Sequence, residues 1–216
     1  MLKCIKNELF EILLFSFLDE GTKLKVVKYN KGIQKNLDLS IINYKFFSGR
    51  YIIYSSKGLG KEYNGKNDDL LYEGEFLNGE RHGKGKEYKC HIGDYEYKEE
   101  IIFDGEFRNG KKDGYGKQFE EYRGKIEFEG EYLNGKRHGK GKSYWDNGEF
   151  QFEGEYLNGK EHGRGKSYWD NGSLEYDGEY LNGKRHGKGK EYDPDEKLTF
   201  DGEFINGERN GKGKEY

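Results

Sequence analysis

Histidine is the side chain in this sequence best suited to metal binding or proton transfer, and four of its five copies recur in one context. Each of the four directly precedes a Gly-x-Gly stretch: His82, His138, His162 and His186. If each copy belongs to one β-hairpin, neighbouring histidines lie two strand spacings apart, about 10 Å. Zinc binds its ligands at about 2.1 Å. The four histidines therefore cannot share one ion, and we expect them to be loop residues.

Two further patterns suggest chemistry that their context does not support. Gly139-Lys140-Gly141-Lys142 lacks the strand–loop–helix setting and the spacing of a phosphate-binding loop. Glu129 and Glu131 are expected to face lysines in water rather than to form an acid–base pair. Repeated residues lie in rows and do not converge on a pocket. We therefore expect no catalytic, cofactor-binding or metal-binding residues, and no enzymatic activity.

These residues belong to an internal repeat. The phrase aromatic-x-Gly-x-aromatic occurs seven times, and a Gly-x-Gly followed by an aromatic residue comes after each copy. The last four copies begin 24 residues apart. Periods of this length are typical of repeat architectures, in which each unit buries its apolar surface against its neighbours. The copies begin at Phe47, Tyr72, Phe103, Phe128, Phe152, Tyr176 and Phe200.

Within a copy, apolar and charged residues alternate, which predicts a strand. Asn147-Gly148 is a strong hairpin turn signal, and Gly135 to His138 suits a four-residue loop. These loops predict that Asn134 pairs with Gly139, Tyr132 with Gly141 and Glu131 with Lys142. They also pair Trp145 with Phe150, Gly141 with Gly154 and Lys142 with Glu153. Tyr132 is then expected to lie over Gly141 and Gly154, with Lys142 between two glutamates on the other face.

The pattern Y-x-G-x-[FY]-x-N-G-x-x-x-G-x-G resembles the MORN repeat, and the resemblance covers residues 47–216. It implies an elongated single-layer antiparallel sheet with one hairpin per repeat. We therefore predict a mainly β chain of the α+β class. Its twisted sheet of seven hairpins follows a small helical segment at residues 1–45.

That N-terminal segment has apolar residues at helical spacing. It resembles an F-box through Glu11-Ile12-Leu13 and Phe15-Ser16-Phe17-Leu18, although the usual proline and the later tryptophan are absent. The resemblance implies docking to a Skp1-type adaptor of a ubiquitin ligase. The alternative is a helical cap over the first edge strand. The candidate docking residues are Leu9, Ile12, Leu13, Phe17 and Leu18.

Composition limits the classes of partner. The formal net charge is −3 with the two signs interleaved, which does not favour nucleic acid. Two cysteines form no disulfide framework, which indicates a reducing, cytoplasmic compartment. The longest apolar run, Leu9 to Leu18, is shorter than the roughly 20 residues needed to cross a bilayer.

Two surfaces are candidates for binding. The favoured one is an aromatic face that takes a protein partner, with Phe107, Phe128, Tyr132, Trp145, Phe152, Tyr156, Trp169, Tyr176, Tyr180 and Phe204. The alternative is a basic loop edge that holds the chain at the periphery of an anionic phospholipid membrane, with Arg81, Lys136, Arg137, Lys160, Lys184 and Arg185.

We therefore predict a non-enzymatic interaction scaffold, with a ubiquitin-ligase adaptor as the form that the N-terminal resemblance implies. The alternative is a peripheral membrane tether. The last strand carries an unprotected edge, which predicts self-association as a two-fold dimer.

Overall fold

The computed structural model describes residues 49–92, 97–121 and 123–216. Its regular elements are fourteen β-strands, and the described residues contain no helix. The chain is therefore mainly β, and the predicted helical segment at residues 1–45 lies outside the described residues. The strands are β1 (Arg50–Ser56), β2 (Leu59–Asn64), β3 (Leu70–Leu77), β4 (Glu80–Ile92), β5 (Tyr97–Arg108), β6 (Lys111–Phe119), β7 (Ile126–Leu133), β8 (Lys136–Tyr144), β9 (Phe150–Leu157), β10 (Lys160–Tyr168), β11 (Leu174–Leu181), β12 (Lys184–Tyr192), β13 (Leu198–Ile205) and β14 (Glu208–Glu215).

The strands form one open antiparallel sheet in which spatial order equals chain order from β1 to β14. Each strand therefore pairs only with its neighbours in sequence, as the repeat predicts. Consecutive pairs of strands form seven hairpins. The division of the chain at residues 1–45 and 47–216 stays a prediction.

The turn within a hairpin is formed by an Asn-Gly pair. Asn134 and Gly135 both have positive φ, 51° and 85°, and Leu133 pairs with Lys136. A two-residue turn with both residues in the left-handed region matches the twist of the flanking strands. The predicted four-residue loop from Gly135 to His138 is therefore wrong. The same asparagine conformation recurs at Asn78, Asn109, Asn158, Asn182 and Asn206.

A β-bulge follows this turn and resets the register within each hairpin. Tyr132 pairs with Arg137, but Gly130 pairs with Gly141 and Glu129 with Lys142. Three residues of β8, centred on Gly139 with φ 60°, therefore lie opposite the single residue Glu131. The predicted pairs of Asn134 with Gly139, Tyr132 with Gly141, and Glu131 with Lys142 are wrong for this reason.

The register between hairpins is largely as predicted. Gly141 pairs with Gly154 and Lys142 with Glu153. Phe150, however, pairs with Tyr144 rather than with Trp145. The reason is a three-residue loop in which Gly148 takes a φ of 93° and donates its N–H to the Trp145 carbonyl at 2.8 Å.

The core lies on one face of this sheet. Twelve aromatic side chains from β3 to β13 form a single buried cluster. We call this side of the sheet the aromatic face, and the side that carries Glu129 and Lys142 the charged face.

Candidate interaction surface

A row of glycines crosses the sheet through the middle of the strands. Gly130 pairs with Gly116 on one side and with Gly141 on the other, and the same pairing continues in both directions. One glycine from every strand after β1 takes part. The glycine row is Gly60, Gly74, Gly85, Gly105, Gly116, Gly130, Gly141, Gly154, Gly165, Gly178, Gly189, Gly202 and Gly213.

Aromatic rings lie directly over this row. A Cβ added to Gly130 would come within 2.8 Å of Phe128 Cζ, and one added to Gly141 would collide with the same ring. The predicted packing of rings on glycine is therefore confirmed, but the ring is Phe128 and not Tyr132. The two-residue shift of the bulge exchanges them. The equivalent rings are Tyr72, Phe103, Phe152, Tyr176 and Phe200.

The second aromatic residue of each repeat links neighbouring hairpins. Tyr156 packs edge-to-face on Phe152 at 5.2 Å and on Phe128 of the preceding hairpin at 5.1 Å between centroids. Edge-to-face pairs add stability beyond the area they bury. The contacts continue from Tyr72 and Phe76 to Phe200 and Phe204. We call this chain of rings the aromatic ladder.

Cationic side chains cover the outer surface of the ladder. The Arg137 guanidinium lies 4.5 Å from the centroid of Phe128 and pairs with Glu127 at 2.5 Å. Arg185 lies over Tyr176 at 4.8 Å between two carboxylates, Glu175 and Glu191. Cation–π contact and ion pairing thus satisfy each cation. The ring cations are Arg81, Lys112, Arg137, Arg185 and Arg209.

Burial also fixes the charge state of the ladder tyrosines. It raises the pKa of Tyr132, Tyr156 and Tyr180 to about 12. The Tyr132 hydroxyl donates to Gln118 Oε1 at 3.1 Å, and the Tyr156 hydroxyl donates to Ser143 Oγ at 3.3 Å. The rings are therefore neutral structural elements at physiological pH.

The predicted partner-binding residues of the aromatic face consequently occupy two environments. Trp145 and Trp169 lie at the far turns, where their indole N–H groups donate to carbonyls of the next hairpin at 3.1 and 3.4 Å. Partner binding by this face stays a prediction, but a partner would meet the ring cations before the rings. The remaining eight are buried in the ladder: Phe107, Phe128, Tyr132, Phe152, Tyr156, Tyr176, Tyr180 and Phe204.

The predicted lipid-binding cations also divide into two groups. Arg81, Arg137 and Arg185 are ring cations in ion pairs, so they do not line a free edge. The other three lie exposed beside the Asn-Gly turns: Lys136, Lys160 and Lys184. Each of these lysines pairs across the turn with an exposed leucine: Leu133, Leu157 and Leu181.

The charged face carries a row of paired charges next to the glycine row. Lys142 Nζ lies 3.5 Å from Glu153, and Lys166 and Lys190 make the same contact with Asp177 and Asp201. Lys142 therefore lies on the face opposite Phe128, as predicted, and its cross-strand neighbours are Glu129 and Glu153. We call these lysines and their acidic partners the paired row.

Glu129 shows how this row is held. Its carboxylate accepts a hydrogen bond from the Tyr144 hydroxyl at 2.8 Å and pairs with Lys117 at 3.2 Å. The Tyr144 hydroxyl, followed by Lys117, holds the pKa of Glu129 below its usual value.

In each strand whose aromatic ring lies over the glycine row, the glutamate directly after the row glycine has a different role. Glu131 accepts the backbone N–H of Lys140 at 3.2 Å, and Glu75 accepts that of Lys84 at 3.0 Å. In both hairpins the carboxylate lies where a side chain on the bulge glycine would project. These glutamates therefore bind the bulge and are not the partners of Lys142 that the sequence predicts.

The four histidines lie in strands at the bulges and not in loops, contrary to the prediction. His138 is in β8 and His162 is in β10, opposite Glu155. Within the described ranges, no three histidine, cysteine, aspartate or glutamate side chains are grouped so as to hold a metal ion.

Two sets of candidate functional residues are not identified by the sequence pattern. Three of the ring cations, Arg81, Arg137 and Arg185, are predicted at the loop edge because the expected four-residue loop includes them, whereas the two-residue turn places them in strands on the aromatic face. The residue between the two glycines of each Gly-x-Gly was not singled out. The available signal was that this residue is a lysine or an arginine in five of the repeats.

These observations define an open repeat sheet in which each of the six hairpins from β3 to β14 supplies the same packing layer. The MORN repeat model matches residues 72–90, 103–119, 128–150, 152–174, 176–196 and 200–216, which together exceed half of the chain. The chain therefore belongs to the MORN repeat family. MORN repeat proteins are generally non-catalytic scaffolds. No curated protein showed significant similarity to the chain.

Proposed function

We propose that this protein is a non-enzymatic scaffold that holds a protein partner on the charged face of its sheet. One observation carries the proposal: the two faces differ in how far their side chains are already engaged. The aromatic face is closed by the ring cations and their carboxylates. The charged face is covered by no other element of the described chain and includes an open groove of about 400 Å³.

The experiment is affinity capture with the full chain, followed by binding measurements with each purified partner. Lys142→Glu with Lys166→Glu reverses the paired row, and Lys136→Glu with Lys160→Glu is the matched control at the turn edge. We expect the first variant to weaken the purified partner's binding and the second to leave it unchanged. Equal binding by both variants would move the site away from the paired row, and binding that also survives reversal of Lys140, Arg164 and Lys188 on the same face would reject the proposal.

The finer form of this function is a ubiquitin-ligase adaptor. It is supported only by the F-box resemblance of Glu11-Ile12-Leu13 and Phe15-Ser16-Phe17-Leu18, because the family match covers only the repeats. In the full chain, Ile12→Asp with Leu13→Asp should abolish binding to a purified Skp1-type adaptor and leave the sheet's melting unchanged. Failure of the wild-type chain to bind that adaptor would reject this form and leave the scaffold proposal standing.

A second candidate function is a peripheral membrane tether at the Asn-Gly turns. The described residues include no helix that could cross a bilayer. What favours the tether is the exposure of leucine beside lysine: Leu133, Leu157 and Leu181 expose 44%, 36% and 39% of their surface. Apolar area and basic charge together support binding to an anionic interface.

Sedimentation with vesicles that contain anionic phospholipid tests the tether. The triple variant Lys136→Glu, Lys160→Glu and Lys184→Glu should remove the protein from the vesicle pellet. A wild-type chain that stays in the supernatant at low ionic strength would exclude this function.

A further inference from the structure

A second set of cations on the charged face has no electrostatic partner. Each member lies between the two glycines of a Gly-x-Gly, is exposed, and forms no ion pair with any described residue. Lys142, two residues further along β8 than Lys140, is by contrast paired. We call this set the unpaired row: Lys84, Lys140, Arg164, Lys188 and Lys212.

The bulges explain why these cations have no partners. Glu155 lies directly opposite Lys140 in the sheet, where a cross-strand ion pair is expected. Its carboxylate instead lies against the bulge at Gly163, as Glu131 does at Gly139. A carboxylate that accepts backbone N–H groups has less capacity left for a neighbouring cation. The geometry that closes the hairpins thus leaves one exposed positive charge in five of the seven repeats.

Two hairpins depart from this series: Leu59 holds the position in β2, and a tyrosine in β6 marks the centre of the site. Tyr115 occupies the same position as the cations and exposes 51% of its surface. It lines the groove of about 400 Å³ together with Lys140, Arg164 and Glu155, whose carboxylate is turned to the bulge at Gly163. Glu129, Lys142 and Glu153 line the groove on the other side of the glycine row.

The spacing of the row restricts what fits it. Successive hairpins lie two strand spacings apart, about 10 Å. Lys140, Arg164, Lys188 and Lys212 are four consecutive members. An α-helix advances about 10.5 Å in seven residues, and a polyproline II helix advances about 9.3 Å in three. Both place repeated side chains on one face. An extended strand does not, because residues three apart point to opposite faces.

We propose that the unpaired row and Tyr115 form the docking track for an acidic protein segment with carboxylates about every 10 Å. This inference rests on the proposed scaffold function and names the partner's chemistry. The spacing, not net charge, selects the partner, since the chain as a whole carries a charge of −3. Tyr115 and the groove beside it take an apolar or aromatic side chain of the same segment.

Fluorescence anisotropy with designed peptides tests the proposal on the full chain. The probe is a labelled 24-residue alanine- and glutamine-based helix with glutamate at positions 1, 8, 15 and 22. A permuted peptide of the same composition carries its four glutamates on four different helix faces. We expect the wild-type protein to bind the first peptide at least tenfold more tightly than the second. Equal affinity for the two peptides would overturn the spacing argument.

Two protein variants locate the binding. Lys140→Glu, Arg164→Glu and Lys188→Glu should weaken binding of the spaced peptide at least tenfold. The control Lys136→Glu, Lys160→Glu and Lys184→Glu carries the same charge change at the turn edge and should bind as the wild type does. Equal weakening by both variants would show non-specific attraction and reject the track. Binding of anionic vesicles, but not of the peptide, through the unpaired row would also reject it.

This outcome is separable from that of the scaffold proposal. One outcome is that reversal of Lys142 and Lys166 abolishes binding of a purified partner while the Lys140, Arg164 and Lys188 variant still binds it. In that case the scaffold proposal stands and the docking track is wrong. A partner retained by both variants rejects both proposals.

Discussion

The two faces of this sheet share one backbone but differ in whether their charged side chains already have partners. On the aromatic face, the rings pack on glycines, and the cations above the rings form ion pairs with carboxylates. These contacts occur both within and between hairpins. On the charged face, the paired row is partly exposed, and the cations of the unpaired row form no ion pair with any residue that the structure describes. Residues adjacent in sequence belong to opposite faces, so a single hairpin contributes to both. The comparison indicates that one face supplies the stability of the repeat, which leaves the other free to vary and bind.

The glycine row gives the largest expected contrast between the faces. Gly165→Ala places a methyl group into the ring of Phe152, which is buried against Tyr156 and Tyr180, and overpacking of this kind costs about 3 kcal/mol. Lys166→Ala, the next residue and on the charged face, should change the free energy of unfolding by about 0.5 kcal/mol. Urea denaturation of both variants measures the difference. Similar losses in the two variants would break the comparison.

Alkaline pH should act on the aromatic face first. The pKa of Tyr132, Tyr156 and Tyr180 is held at about 12 in the folded chain, above the usual value of about 10. A raised pKa gives stability that is complete below pH 10 and is lost as the pH rises through 12.

Replacement of one of them, Tyr180→Phe, removes its share of this titration. Between pH 9.5 and 11.5 the wild type should lose about 2 kcal/mol more stability than this variant. Thermal melting over that pH range checks it. Parallel loss in both proteins would show that this hydroxyl does not control the alkaline transition.

Removal of a cation should matter on one face and not on the other. Arg185→Met keeps the packing on Tyr176 but removes the ion-pair partner of Glu175, while Glu191 keeps its pair with Arg209; the loss costs about 1.5 kcal/mol. Lys188→Met in the same strand removes a member of the unpaired row and should be neutral. A melting-temperature comparison of the two variants is sufficient, and a larger loss for Lys188→Met would reverse our assignment of the faces.

The smallest effect is expected at a turn that belongs to neither face. Glu196 has a φ of 59° at the loop position that Gly148 and Gly172 occupy in the preceding repeats. A non-glycine residue in the left-handed region destabilises the folded state by about 1 kcal/mol. Glu196→Gly should therefore raise the free energy of unfolding by about that amount, whereas Glu196→Ala should give no gain because it keeps the Cβ. Calorimetry of the two variants distinguishes backbone relief from loss of the carboxylate.

The sequence predicted the strands, their order and the faces, because glycine, ring and charge recur with an even period. It misplaced the pairing within hairpins by two residues. A two-residue shift returns every side chain to its own face, so alternation cannot distinguish Tyr132 from Phe128 as the ring over Gly141. The preference of Asn134-Gly135 for a two-residue turn excludes the predicted register, but that turn alone would pair Gly130 with Gly139; the bulge is also needed to bring Gly130 opposite Gly141.

The candidate site was less predictable than the fold. Arg137 and Lys136 are adjacent basic residues in the sequence, and nothing in residue type shows that one stacks on a ring while the other is exposed. The unpaired row depends on where the Glu131 carboxylate points, and that follows from the bulge rather than from composition.

The unbroken order of the strands from β1 to β14 has a consequence for how the molecule is made. Every contact layer is complete once the next hairpin has left the ribosome, so the sheet can grow like a zipper during translation. No strand waits for a distant segment, and short-range pairing favours rapid folding. Loss of structure under load is expected to follow the reverse course, one hairpin at a time from an end, while the interior hairpins remain assembled.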